Sequence, residues 1–148
     1  MNGRVLFVTS LLPLFLLTAC ERASLPPPVA AETTSGLPTL PRNAVGFIDI
    51  TVEQLARSMP NKNFTLVNVH VPDAGNLPDT DLSIPFDRIT ENLDKLPGKD
   101  APIVLYCRSG GMSTQAAAAL AAAGYTQIYE LDGGFNAWKD AGHRLATP

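Results

Sequence analysis

Cysteine is scarce in this chain: two in 148 residues, at positions 20 and 107. So few thiols, so far apart, build no disulfide framework, and no Cys-x-x-Cys pair is present for thioredoxin-type exchange. Positive charge is thin as well. Eleven Lys and Arg stand against fourteen Asp and Glu, a net charge of −3, and the cations form no cluster. This excludes the basic footprint of a nucleic-acid binder and a polybasic membrane patch. Histidine occurs only at 70 and 143. Asp73, Asp79 and Asp81 lie close together but lack the spacing of a calcium loop, so they read as a solvated acidic loop, and neither metal nor cofactor is expected. Long apolar runs are absent apart from residues 5–17, which are too few for an ordinary transmembrane helix.

That run has its own meaning. Arg4 precedes it, small residues follow it, and a proline-rich polar stretch comes next, the pattern of a secretory signal. Leu17-Thr18-Ala19-Cys20 resembles the lipobox of bacterial lipoproteins. The resemblance implies a signal peptide over 1–19, cleavage before Cys20 and lipid on its sulfur. More than one acyl chain gives stable anchoring. Residues 20–43, rich in Pro, Ala and Thr with Pro26-Pro27-Pro28 in a row, read as a semi-extended tether. The expected place is the cell envelope, lipid-anchored and facing periplasm or exterior. Glu21, where aspartate often signals inner-membrane retention in two-membrane bacteria, hints at the outer membrane only if the organism has one, and which membrane holds the anchor stays open. Residues 44–148 suffice for one core.

Along that segment, strands are predicted at 46–50, 65–70, 103–106 and 127–131, with a short edge strand at 82–85 where Pro85 is tolerated. Helices are predicted at 52–59 behind a Thr51 cap, at 87–96 with Ile89, Leu93 and Leu96 on one stripe, at 113–123, and after Gly133-Gly134. In the last helix Phe135 and Trp138 are core anchors. The alternation predicts an α/β fold with a mostly parallel sheet and helices on both faces. Sites in such sheets lie beyond the C-terminal strand ends, where both Cys107 and His70 fall.

The densest chemistry is Tyr106-Cys107-Arg108-Ser109-Gly110-Gly111-Met112-Ser113, a thiol at a strand end in a small loop feeding a helix. Convergent N–H groups and the helix dipole favour an anion there, and the thiolate is the reactive form of cysteine. An exposed, stable anion at position 107 is therefore expected, with the N–H groups of residues 108–113 turned toward it and no general base required. Gly110 and Gly111 permit positive φ and close backbone approach. Ser113 caps the helix or acts directly on the site. Arg108 attracts an anionic donor or is a solvated charge. Met112 adds a soft apolar wall. His70 lies at the mouth of the same pocket or is a structural hydrogen-bond partner. His143 reads as a surface residue, and Asp132 as a residue tying down its loop.

The chain resembles a rhodanese-like domain. The resemblance is carried by residues 50–55, Leu66-Val67-Asn68-Val69-His70, Gly75-Asn76-Leu77-Pro78 leading to Ile84-Pro85, the cysteine loop, and Leu131-Asp132-Gly133-Gly134-Phe135-Asn136-Ala137-Trp138. It implies a five-stranded, mostly parallel sheet flanked by helices, and sulfurtransferase chemistry through a persulfide on Cys107. Sulfane sulfur would come from thiosulfate, a persulfide or a polysulfide and pass to a thiol, cyanide or a protein acceptor. Three departures stand out: Asn68-Val69-His70 for Asp-Val-Arg, Asn76 and Asp79-Thr80 in the loop, and Met112 where many active members carry arginine. The last keeps open an alternative, a membrane-tethered persulfide carrier or binding module with little turnover of its own. The sequence argues against a Cys-x5-Arg phosphatase, since its arginine position holds Ser113 and the bidentate phosphate clamp is missing.

Overall fold

Strand and helix alternate along the described chain, residues 36–146 of a computed structural model. The signal segment, Cys20 and most of the tether lie outside the described residues. In order come β1 (Ile48–Ile50), α1 (Val52–Ser58), β2 (Thr65–Asn68), β3 (Leu82–Ser83), β4 (Ile103–Tyr106), α2 (Gly111–Ala122), β5 (Ile128–Leu131) and α3 (Gly134–Asp140). All five strands pair in parallel, in the order β1-β5-β4-β2-β3.

Local chemistry explains the elements. Thr51 starts α1 through a capping box: its Oγ1 accepts from the Gln54 N–H at 3.3 Å, and Gln54 Oε1 accepts from the Thr51 N–H at 2.8 Å. Pro60 then turns the chain into a 3-10 turn at Met59–Asn61. The helix expected at 87–96 is instead 3-10 helix over Phe86–Lys95, broken at Asn92, whose φ is −123°. Polar Thr90, Asn92 and Asp94 weaken an α-helix there, and the Asn92 side chain donates to the Arg88 carbonyl at 2.8 Å. The intended stripe survives in part, with Ile89 and Leu96 buried and Leu93 packed beside them.

The central strands β4 and β5 are buried along their whole length, as a sheet covered on both faces requires. Val104 and Tyr106 face one layer, with Leu55, Leu131, Phe135 and Trp138. Ile103, Leu105 and Cys107 face the other, against Ala116, Ala117 and Leu120 of α2. Small alanines let α2 lie close to the sheet. The folded unit also begins earlier than residue 44. Leu37, read above as tether, is 2 % exposed and packs in the first layer. Ser58 Oγ donates to the Gly36 carbonyl at 2.8 Å, and the Arg42 guanidinium donates to the Thr126 carbonyl.

Candidate active site

β4 and β2 run level, Asn68 beside Tyr106, so the residues following both strands emerge at the same end of the sheet. Cys107 is the first residue past β4. Gly110, at φ +100°, folds the loop back and is the N-cap of α2. Its N–H donates to Cys107 Sγ at 3.1 Å, and Ser113 Oγ lies 3.4 Å from the same sulfur. Two expectations change here. Ser113 is not the cap; α2 has already begun at Gly111, which places Ser113 in the first turn with its side chain fully buried over the sulfur. Gly111 has no positive φ, and a Cβ there would meet open space, so of the pair only Gly110 is demanded by the backbone.

Cys107 is 2 % exposed, not the open thiol the sequence suggested, because the loop closes its own donors over the sulfur. Its surroundings are nevertheless polar. Burial pushes the thiol pKa up, but the Ser113 hydroxyl and the N–H groups of Ser113, Ser109 and Met112 outweigh that and hold it below its ordinary value. Arg108 and Ser109 are exposed on the loop, and Met112 packs half-buried against the α2 layer.

The buried carboxylate missed from sequence is Glu130. It sits in the middle of β5, 1 % exposed, and Ser113 Oγ donates to its Oε1. Burial first, then Asp132 and Asp49, raise its pKa to about 7 against the lowering effect of the Ser113 bond. One signal was available: a carboxylate inside the run Ile128-Tyr129-Glu130-Leu131 conflicts with a strand buried on both faces. Asp49, opposite Glu130 across the β1–β5 pair, and Asp132 bring three carboxylates within 4.8 Å of one another. Two of the three are exposed, and Glu130 is already engaged by Ser113.

The Gly133-Gly134 motif belongs to the same site. The N–H groups of Phe135 and Asn136 donate to the carbonyls of Cys107 and Arg108, both at 3.0 Å. A Cβ on Gly134 would stand 2.1 Å from the Cys107 carbonyl oxygen, so only glycine fits this approach. The cysteine loop and the start of α3 are thus one packed unit.

His70 emerges beside this unit, its ring edge-on to Phe135 at 5.7 Å. Its N–H donates to Asn68 Oδ1 at 2.9 Å. Its Nδ1 is buried without a partner, and burial and then Arg108 lower its pKa. His70 lines a cavity of about 180 Å³ with Asn68, Asp73 and Ser83, and Cys107 is not part of that lining. The two residues share an end of the sheet without sharing that cavity. His143 is half-buried and stacks on Trp138 at 4.4 Å, so it is no plain surface residue. The Asp132 N–H does tie its turn to the Ile50 carbonyl, at 3.0 Å. The loop after β2 is held by Tyr106, whose hydroxyl accepts from the Leu77 N–H at 3.0 Å and bonds Thr80 Oγ1 at 2.7 Å.

A covered parallel sheet whose central strand ends in a thiol, cradled at a helix N-terminus, defines an α/β protein with a cysteine-loop site. Residues 42–141 match the model of the rhodanese-like domain, and the chain belongs to that family. It is 34 % identical over 104 residues to a sulfurtransferase of Allochromatium vinosum, covering 68 % of this chain and 95 % of that one. It is 32 % identical over 98 residues to the thiosulfate sulfurtransferase GlpE of Shewanella oneidensis, covering 64 % and 95 %. Among solved structures, a rhodanese-like domain protein of Staphylococcus aureus superposes with a TM-score of 0.58 at 27 % identity, over 68 % of this chain and all of that one.

Proposed function

We propose that this protein is an exported sulfurtransferase that carries sulfane sulfur as a persulfide on Cys107. The observation that carries the reading is the sulfur itself, lying between the Gly110 N–H and the Ser113 hydroxyl at the end of β4. Such donors stabilise a thiolate and, after transfer, a persulfide anion. The thiolate attacks the sulfane sulfur of the donor. A bond forms between Sγ and that sulfur, and the donor's remaining group leaves with the bonding electron pair. An acceptor thiolate or cyanide then attacks the outer sulfur, and Cys107 leaves as thiolate. Met112 in place of arginine removes one cationic partner for thiosulfate and favours a less anionic persulfide or polysulfide donor. Lipid on Cys20 would hold the domain at the cell envelope, with the residues that follow as a spacer.

The test is a mass measurement. Exposed to thiosulfate and to a polysulfide in turn, the protein gains one sulfur atom on the Cys107 peptide, and Cys107→Ala gains none there. Absence of the added sulfur with both donors rejects the reading. A steady-state thiocyanate assay then separates an enzyme from a carrier: a persulfide that forms but does not turn over assigns the chain to delivery of sulfur to a partner protein.

A further inference from the structure

Ser113 has one hydroxyl proton and three acceptors around it. Its Oγ is 3.4 Å from Cys107 Sγ, 2.9 Å from the Gly110 carbonyl and hydrogen-bonded to Glu130 Oε1. Cys107, Ser113 and Glu130 are all buried. A hydroxyl donates once and accepts twice, so the row has two self-consistent arrangements. With Glu130 ionised, the hydroxyl donates to the carboxylate, the strongest of the acceptors, and the Cys107 S–H donates to Oγ. With Glu130 protonated, its O–H donates to Oγ and the hydroxyl turns to a Cys107 thiolate. The arrangements differ by one proton moved along the row, and each places one negative charge in the row. A second charge would compete for the same hydroxyl in a medium that screens poorly.

We propose that Glu130 and Cys107 share a single proton through the Ser113 hydroxyl, so that Glu130 is the internal acceptor for the Cys107 thiol proton. In the transfer the S–H bond breaks and its electron pair stays on Sγ. The proton binds Ser113 Oγ, and the hydroxyl's former proton binds Glu130 Oε1. Nothing is oxidised or reduced, and no solvent base takes part. Glu130 acts through Ser113 and is therefore a positioning residue. The inference rests on Cys107 being the reactive group, and it adds how that group loses its proton.

The groups facing Glu130 fit this role. Asp49 from β1 and Asp132 beyond β5 both favour the protonated carboxyl, Cys107 is linked to it through Ser113, and α2 brings no charged residue to it. Arg108, the cation next to Cys107, is exposed. Burial raises the carboxyl and the loop donors lower the thiol, so the fold moves the two proton affinities toward each other.

The experiment follows the pH profile of Cys107 alkylation by iodoacetamide in the full chain, read on the Cys107 peptide so that Cys20 does not contribute. The wild-type profile rises in two steps, as for any strongly coupled pair. Glu130→Gln reduces it to a single step about one unit below the upper wild-type step, because the competing charge is gone. In a Ser113→Ala background the same substitution produces a smaller shift. Superimposed wild-type and Glu130→Gln profiles, or equal shifts with and without Ser113, overturn the proposal. A second measurement needs no change at Glu130: its carboxyl ¹³C resonance titrates in two steps in the wild type and in one in Cys107→Ser, and identical titrations in both refute it. Persulfide formation is scored separately. A two-step titration with no sulfur uptake upholds proton sharing while rejecting sulfur transfer, and uptake with uncoupled titrations does the opposite.

Discussion

Glu130 is the residue whose surroundings fit its usual chemistry least. Its ordinary pKa of 4.5 becomes about 7 in the fold. The folded protein therefore holds a proton that the unfolded chain has already released between those values. The associated stability is complete below pH 4.5 and declines as pH rises through 7, by about 3 kcal/mol. Cys107 acts with the opposite sign at higher pH, since its thiol is held below the ordinary value of 9.0. We expect Glu130→Gln to match the wild type in urea unfolding at pH 4.5 and to exceed it in midpoint at pH 8; equal midpoints at both would contradict the burial argument. The sequence showed Cys107 and its loop clearly, since strand, glycines and helix start are adjacent in the chain. Glu130 stayed hidden because its significance lies in a partner seventeen residues away.

At the scale of elements, two glycine pairs read alike in sequence and differ in the fold. Gly134 meets the Cys107 carbonyl at a distance no side chain tolerates, whereas Gly111 starts α2 in open space. Gly134→Ala should cost at least about 2 kcal/mol, combining positive-φ strain with the clash. It should also change the alkylation rate of Cys107, because the carbonyl it displaces is that of Cys107 itself. Gly111→Ala should raise the thermal midpoint slightly, a gain of about 0.5 kcal/mol through the unfolded chain. A loss of stability on Gly111→Ala would show that the open space is used. Strand positions followed hydrophobic runs and were legible to within two residues at each end. The 86–95 segment was not, because its apolar stripe fits a helix while its Asn, Asp and Thr residues favour local turns.

For the whole molecule, two boundaries matter. The sheet's first layer includes Leu37, so a chain beginning at residue 36 should be measurably more stable than one beginning at 44. Thermal melts of the two truncations decide this, and equal midpoints would return residues 36–43 to the tether. The second boundary is Cys20. If lipid is attached there, Cys20→Ser should move the protein from the membrane pellet to the soluble fraction while Cys107 still takes up sulfur. An unchanged distribution would remove the anchor from the account.

Short-range pattern alone determined the order of strands and helices, the parallel architecture and the thiol's place at a strand end, because these depend on periodicity and on neighbours in the chain. Tertiary structure decided what surrounds that thiol. Parallel pairing set β5 beside β4 and placed Glu130 beneath Ser113, and α3 came to rest against the Cys107 carbonyl. Proton affinity depends on burial and on atoms a few ångströms away, and those neighbours exist only once distant segments have packed.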